Sequence, residues 1–291
     1  MTRCDLRVGV VGLGAIGLPM AINLQQAGFD LQVHTRSRLA ETAPGLANSM
    51  ACDSPAQAAE NVDVLLLCVS DDAAVEDVLF GAAGAINSLK PGAIVLDCST
   101  IAPATAIACA ERLQAQGIQY LDAPVTGGTE GAQAGTLTLL LGGEATAVDQ
   151  VRPLLEVIGG SIHHFGPVGS GQQVKAVNQV LVAGSYAAVA EALALGERMQ
   201  LPMQAVLDAL QQGAAGSWAL RHRSTGMLND AYPLGFRLSL HHKDLAIALS
   251  SADDLKLDMP VTRLVQQLEA ALISEGHGDE DVSVLKRFYR P

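Results

Sequence analysis

Aromatic residues are scarce in this chain. One Trp, four Tyr and five Phe make up 3% of 291 residues. A core must therefore be filled by Ala, Val and Leu, whose small side chains let helices approach closely. Basic residues are also few: 18 Lys and Arg stand against 30 Asp and Glu, a net charge of −12. That balance argues against nucleic acid or an anionic membrane as a partner, because both require a basic surface. No CxxC pair occurs among Cys4, Cys52, Cys68, Cys98 and Cys109. Neither a disulfide framework nor a zinc site is expected, and Cys68 and Cys98, inside apolar runs, read as buried, reduced thiols. The pairs His163-His164 and His241-His242 lack metal-ligand spacing, so no metal is expected. Uninterrupted apolar runs stay far below the ~18 residues of a membrane span. Residues 6–11 already read as a strand, so no signal peptide and a cytoplasmic location are expected.

What is present is a change of pattern along the chain. The first half alternates short apolar runs (6–11, 31–34, 64–69, 94–97, 120–123, 136–141) with stretches of helical spacing (16–27, 73–80, 102–116). Such alternation predicts a mostly parallel sheet covered by helices. From about Gly171 the strand signals stop. Residues 174–199 read as one long Ala-rich helix, followed by helical patterns over 203–211, 218–228, 238–252 and 261–274. The fold class is therefore α/β: an N-terminal Rossmann dinucleotide-binding domain over 1–168, then an all-α domain over 169–291 joined by the long helix. With 49% hydrophobic residues, either part can bury a core.

Gly12-Leu13-Gly14-Ala15-Ile16-Gly17 is a G-x-G-x-x-G. It follows a strand and opens a helix, the context in which the pattern signifies a dinucleotide site. The first glycine permits the turn, the second a close approach of backbone N–H groups to a pyrophosphate, and the third helix–sheet packing. After the second strand the chain reads His34-Thr35-Arg36-Ser37-Arg38, without the carboxylate that commonly binds the ribose hydroxyls of NAD. Arg36 and Arg38 can neutralise a 2′-phosphate, with Thr35 or Ser37 donating to it. NADP(H) is the predicted preference and NAD(H) remains possible; the other reading of these arginines is a solvated turn.

Carbonyl chemistry is suggested further on. Thr126-Gly127-Gly128 follows a strand end, where exposed backbone N–H groups and a hydroxyl can grip a carboxylate. Lys175 lies on the first turns of the long helix, with Asn178 and Gln179 three and four residues on, sharing its face. A lysine buried beside a cofactor can pass a proton near neutral pH, and an amide neighbour can hold an oxygen in line.

These blocks carry a family resemblance. Asp122-Ala123-Pro124-Val125-Thr126-Gly127-Gly128 resembles the D-A-P-V-S-G-G substrate motif of the β-hydroxyacid dehydrogenases, with Thr in place of the usual Ser. The stretch from Gly171 through Lys175 to Asn178-Gln179 resembles that family's catalytic G-x-x-x-K-x-x-N-N/Q. Phe236 through Lys243-Asp244-Leu245 resembles its late F-x(n)-K-D-L segment. The blocks occur in the family's order and span nearly the whole chain. The family includes 3-hydroxyisobutyrate dehydrogenase, tartronate semialdehyde reductase and glyoxylate/succinic semialdehyde reductase.

The resemblance implies hydride exchange between a nicotinamide and a small carboxylate, with Lys175 catalytic and Thr126, Gly127, Gly128, Asn178 and Gln179 on the substrate. It implies cofactor contacts from Val69, Ser70, Thr100, Phe236 and Lys243, with Asp244 holding Lys243. It also implies a homodimer or homotetramer. Trp218, the single tryptophan, reads either as a substrate-pocket wall or as a core aromatic. Two rivals share the fold: an imine reductase, which usually lacks the lysine, and a non-catalytic cofactor-binding protein.

Overall fold

A computed structural model describes residues 6–36 and 44–289. The chain divides into two compact units, Met1–Lys175 and Ala176–Pro291.

In the first unit the elements run β1 (Arg7–Val11), α1 (Gly17–Gln26), β2 (Asp30–His34), β3 (Met50–Ala51), α2 (Pro55–Ala58), β4 (Val64–Leu67), α3 (Asp72–Phe80), β5 (Ile94–Asp97), α4 (Pro103–Gln114) and β6 (Gln119–Asp122). They form a six-stranded sheet in the order β3-β2-β1-β4-β5-β6, with every strand parallel to its neighbours. Strands β4 and β5 are buried at every position, as expected for central strands covered on both faces. Alternate residues serve opposite faces. Val8, Val10, Leu66 and Leu96 pack with Met20 and Leu24 of α1. Leu65, Leu67 and Val95 pack with Val75 and Leu79 of α3 and Cys109 and Leu113 of α4.

The chain continues through β7 (Val125–Thr126), α5 (Gly128–Ala134), β8 (Leu137–Leu141), α6 (Ala145–Ile158) and β9 (Gly159–His164). Here β8 is antiparallel to β7 and parallel to β9. The sequence patterns do not reveal β3, β7 or β9. The first two are two residues long, and β9 begins with two glycines and ends with two exposed histidines. On β9 the two histidines bind different partners: His163 Nε2 lies 2.7 Å from Ser161 Oγ, and His164 Nε2 lies 2.7 Å from the Gly143 carbonyl.

The long helix α7 runs over Ser170–Arg198. It starts four residues earlier than the apolar pattern indicates, and the division between the two compact units falls inside it, after Lys175. Its first turn is tied by hydrogen bonds into the first unit, as described below. By length and composition α7 could cross a membrane, a property that the search for uninterrupted runs does not register. Its Ala183, Tyr186, Val189, Ala190 and Leu193 nevertheless build the helical core.

The second unit adds α8 (Met203–Leu210), α9 (Trp218–His222), α10 (Ser224–Leu228), α11 (Leu238–Asp254), α12 (Pro260–Ser274) and a 3₁₀ segment over Val282–Tyr289. The pattern over 218–228 predicts one helix, but two short ones are found, broken at Arg223. Arg223 is buried and paired with the fully buried Asp281 at 3.5 Å. Asp281 also accepts the backbone N–H of Gly235, Phe236 and Ser283. The acidic run at 279–281 thus supplies a buried capping carboxylate for the 3₁₀ segment.

Candidate active site

The strand order of the large sheet reverses direction of growth between β1 and β4, and ligands of such sheets bind beyond the carboxyl ends of those strands. The glycine-rich turn lies there. Gly12 has φ +97°, and a Cβ on it would stand 2.2 Å from the Cys68 carbonyl oxygen. A Cβ on Gly17 would stand 2.0 Å from the Gly12 carbonyl oxygen. Internal packing therefore accounts for Gly12 and Gly17. It does not account for Gly14, whose Cβ would meet nothing within 4 Å. Gly14 and Ala15 are exposed, Leu13 and Ile16 partly so. Helix α1 has no side-chain cap and no acidic residue in its first turn. The Leu18 N–H is taken by the Gly14 carbonyl and Pro19 has none, so an anion here would be met by N–H groups of the turn up to Gly17, and the open space at Gly14 fits a pyrophosphate laid on that backbone.

At the end of β2, His34 Nδ1 lies 2.9 Å from the Cys52 carbonyl oxygen. Thr35 is partly buried and Arg36 exposed. Ser37 and Arg38 lie outside the described residues.

The ends of β4 and β5 are joined by a buried polar group. Val69 N–H donates to Ser99 Oγ at 3.0 Å. Ser99 N–H donates to Asp97 Oδ1 at 2.9 Å, and Tyr120 Oη donates to Asp97 Oδ2 at 2.7 Å. Asp97 is fully buried. Desolvation pushes its carboxyl up to about 6, against the lowering effect of its bonds to Ser99 and Tyr120. Next door, Ser70 Oγ donates to Asp71 Oδ2 at 2.7 Å, and Asp71 caps α3 through Ala74 N–H. Thr100 follows Ser99 and is partly exposed.

Lys175 is 7% exposed, and its Nζ donates to the Val125 carbonyl at 2.8 Å. The amine therefore sits where the backbone enters Thr126-Gly127-Gly128. Gly127 and Gly128 have φ of +130° and +65°, values that favour glycine, and they turn the chain from β7 into α5.

Asp122, the first residue of that motif, plays a part the sequence reading does not assign. It is fully buried and accepts the N–H of Gly169 at 2.8 Å and of Gln172 at 2.9 Å. Desolvation raises its pKa, while backbone N–H groups at residues 169, 171 and 172 oppose the rise. Pro167-Val168-Gly169 offers no side chain to cap α7. The carboxylate of Asp122 does so across 47 residues, and so anchors the helix one turn before Lys175. The missing local cap is the sequence signal that could have pointed to it.

Asn178 and Gln179 lie one turn beyond Lys175 on α7, in the second unit. Gln179 is 1% exposed. Its Nε2 donates to Asp244 Oδ2 at 2.7 Å, and its Oε1 accepts from Asn178 Nδ2 at 2.7 Å. Lys243 Nζ is 3.0 Å from Asp244 Oδ1. The amide of Gln179 is therefore engaged by protein at both ends and holds the half-buried Asn178. Behind it, the buried His241 sets Nδ1 2.6 Å from Glu269 Oε1, with the Phe236 ring edge-on at 5.7 Å. Trp218 is 45% exposed and stacks on His222 at 4.5 Å, with the Arg223 guanidinium 4.7 Å from its ring. That exposure places it outside the helical core.

Comparison with known proteins agrees with this architecture. Residues 7–166 match the family described as the NAD binding domain of 6-phosphogluconate dehydrogenase. Residues 169–289 match the family described as NAD-binding of NADP-dependent 3-hydroxyisobutyrate dehydrogenase. The chain is 36% identical over 280 residues to 2-hydroxy-3-oxopropionate reductase of Escherichia coli, covering 96% of each. It is 35% identical to an NAD-dependent L-serine dehydrogenase of Pseudomonas aeruginosa, covering 98% of each. The crystal structure of 3-hydroxyisobutyrate dehydrogenase from Salmonella typhimurium is 30% identical, with a TM-score of 0.88 over 98% of this chain and 100% of that one. The chain therefore belongs to the 3-hydroxyisobutyrate dehydrogenase family of β-hydroxyacid dehydrogenases, pyridine-nucleotide-dependent oxidoreductases that act on hydroxyl groups.

Proposed function

We propose that this enzyme interconverts a small hydroxyacid and its semialdehyde or keto acid with NADP(H) as the preferred cofactor. The substrates favoured are glyoxylate and small semialdehydes such as succinic or tartronate semialdehyde, with 3-hydroxyisobutyrate as the alternative. The observation that carries the reading is the placement of Lys175. Its amine is bound to the carbonyl directly before a turn of one hydroxyl and two glycines.

In this mechanism Thr126 and the N–H groups of Gly127 and Gly128 hold the substrate carboxylate. The reduced nicotinamide, when bound, supplies the hydride. Lys175, oriented by the Val125 carbonyl, gives a proton to the alkoxide oxygen in reduction and accepts it in oxidation. Asn178 orients that oxygen, with Gln179 and Asp244 fixing the asparagine rather than touching substrate. The contacts assigned to Val69, Ser70, Thr100, Phe236, Lys243 and Trp218 rest on the family resemblance.

The NADP preference is supported by the exposed Arg36 at the end of β2 and by the lack of a carboxylate at positions 34–36. A homo-oligomer is supported by Val177, Leu181 and Leu195, which leave one stripe of α7 exposed and apolar, and by the exposed Met199 just past its end. The test is consumption of NADPH and NADH with glyoxylate, succinic semialdehyde, tartronate semialdehyde and methylmalonate semialdehyde. Turnover with NADPH and one or more of these carbonyls is expected. Cofactor binding without turnover on any of them would remove the substrate assignment.

A further inference from the structure

Gln172 is an unspecified position of the stretch between Gly171 and Lys175, given no role above, yet it is 1% exposed and uses both ends of its amide. Its Nε2 donates to the Ser99 carbonyl at 2.8 Å, and its Oε1 accepts the Ile101 N–H at 3.2 Å. Its own N–H is held by Asp122. The two clamped backbone groups flank Thr100, and Ser99 Oγ in turn receives the Val69 N–H. Val69 and Thr100 lie two and three residues past the ends of β4 and β5, at the crevice where the cofactor is proposed to lie. Lys175 is three residues along α7 from Gln172, almost one helical turn. Hydrogen bonds to the side chain and to the backbone of Ser99 thus link the segment after β4 with the turn of α7 that carries the lysine.

We propose that Gln172 is a positioning residue, which sets the backbone after β5 and the lysine-bearing turn of α7 in one fixed register. The proposal rests on the functional reading above for the role of Lys175, but the clamp itself does not. Only a side chain with one donor and one acceptor at its tip satisfies both the Ser99 carbonyl and the Ile101 N–H. A methionine fills the same volume and satisfies neither. A glutamic acid satisfies both while protonated, and turns a lone pair on the Ser99 carbonyl once ionised. The ionisable groups on the elements around the clamp include Asp122 and Tyr120 on β6, Asp97 on β5 with Cys98 after it, Asp72 on α3 and Lys175 on α7 itself; the carboxylates favour the protonated form of a further buried carboxyl, whereas Lys175 favours the ionised one.

The experiment compares wild type, Q172M and Q172E for kcat, carbonyl KM and NADPH dissociation constant between about pH 5.5 and 8.5. For Q172M the expected result is a kcat about tenfold or more below wild type and weaker NADPH binding, with carbonyl KM changed far less. Q172E should track wild type at the acid end and fall towards Q172M as the introduced carboxyl ionises. A Q172E-to-wild-type ratio that is constant with pH would overturn the proposal. So would a Q172M that melts earlier but keeps kcat and NADPH affinity. If wild type reduces none of the carbonyls tried, the substrate reading has failed, and the NADPH dissociation constants alone decide the clamp.

Discussion

Asp97 offers a quantitative test of the buried network beneath the crevice. It is fully buried, and its pKa is raised from 3.8 to about 6, chiefly by desolvation. A carboxyl raised in the folded state favours the protonated form. Its stabilising contribution is therefore complete below the unfolded value near 3.8, and is lost as pH rises through about 6. The full span of about two pKa units is worth about 3 kcal/mol, of which about 1.4 kcal/mol falls between about pH 5 and pH 8. Asp97→Asn keeps an acceptor for Ser99 N–H and can still meet Tyr120 Oη, but cannot ionise. Urea unfolding of both proteins at the two pH values cancels the titrations that are not coupled to Asp97. Relative to wild type, Asp97→Asn should gain about 1.4 kcal/mol on going from about pH 5 to pH 8. A difference that stays constant, or that moves the other way, would refute the assignment of a buried, elevated carboxyl.

Three further outcomes follow from the geometry. Gly14→Ala should leave unfolding free energy within about 0.5 kcal/mol of wild type while weakening NADPH binding roughly tenfold; Gly17→Ala, whose Cβ collides with the Gly12 carbonyl, should cost about 1–3 kcal/mol in the same unfolding assay. Asp122→Ala removes the remote cap of α7, and should lower stability by roughly 2–4 kcal/mol by urea titration and reduce kcat more than cofactor affinity. Arg36→Glu should lower the NADPH-to-NADH ratio of kcat/KM by roughly 10–100-fold, the worth of one charge-assisted hydrogen bond; an unchanged ratio would return Arg36 to a solvated turn.

Much of this layout can be read from residue order. Apolar runs such as Val64–Leu67 and Ile94–Asp97 mark central strands because covered parallel strands need apolar residues on both faces. The G-x-G-x-x-G is legible because glycine demands are local, whereas Lys175 stands out only through the resemblance of its stretch, since a lone helix lysine more often reaches to solvent. What escapes is set by tertiary partners. The break at Arg223 accompanies a guanidinium buried on Asp281, 58 residues away in sequence. Gln179 is identical in spacing to a substrate contact, yet it is turned onto Asp244. Asp122 and Gln172 become informative only when β6, the end of β5 and the start of α7 are brought together.

The most direct test of the whole account is Lys175→Ala, with kcat on the best carbonyl substrate and NADPH dissociation constant measured on the same preparation. The account predicts a fall in kcat of roughly 10²–10⁴, the usual contribution of a positioned proton donor, with cofactor affinity close to wild type. A variant that binds NADPH normally and keeps its kcat within a factor of about two would contradict the assignment of Lys175 as the group that moves the proton.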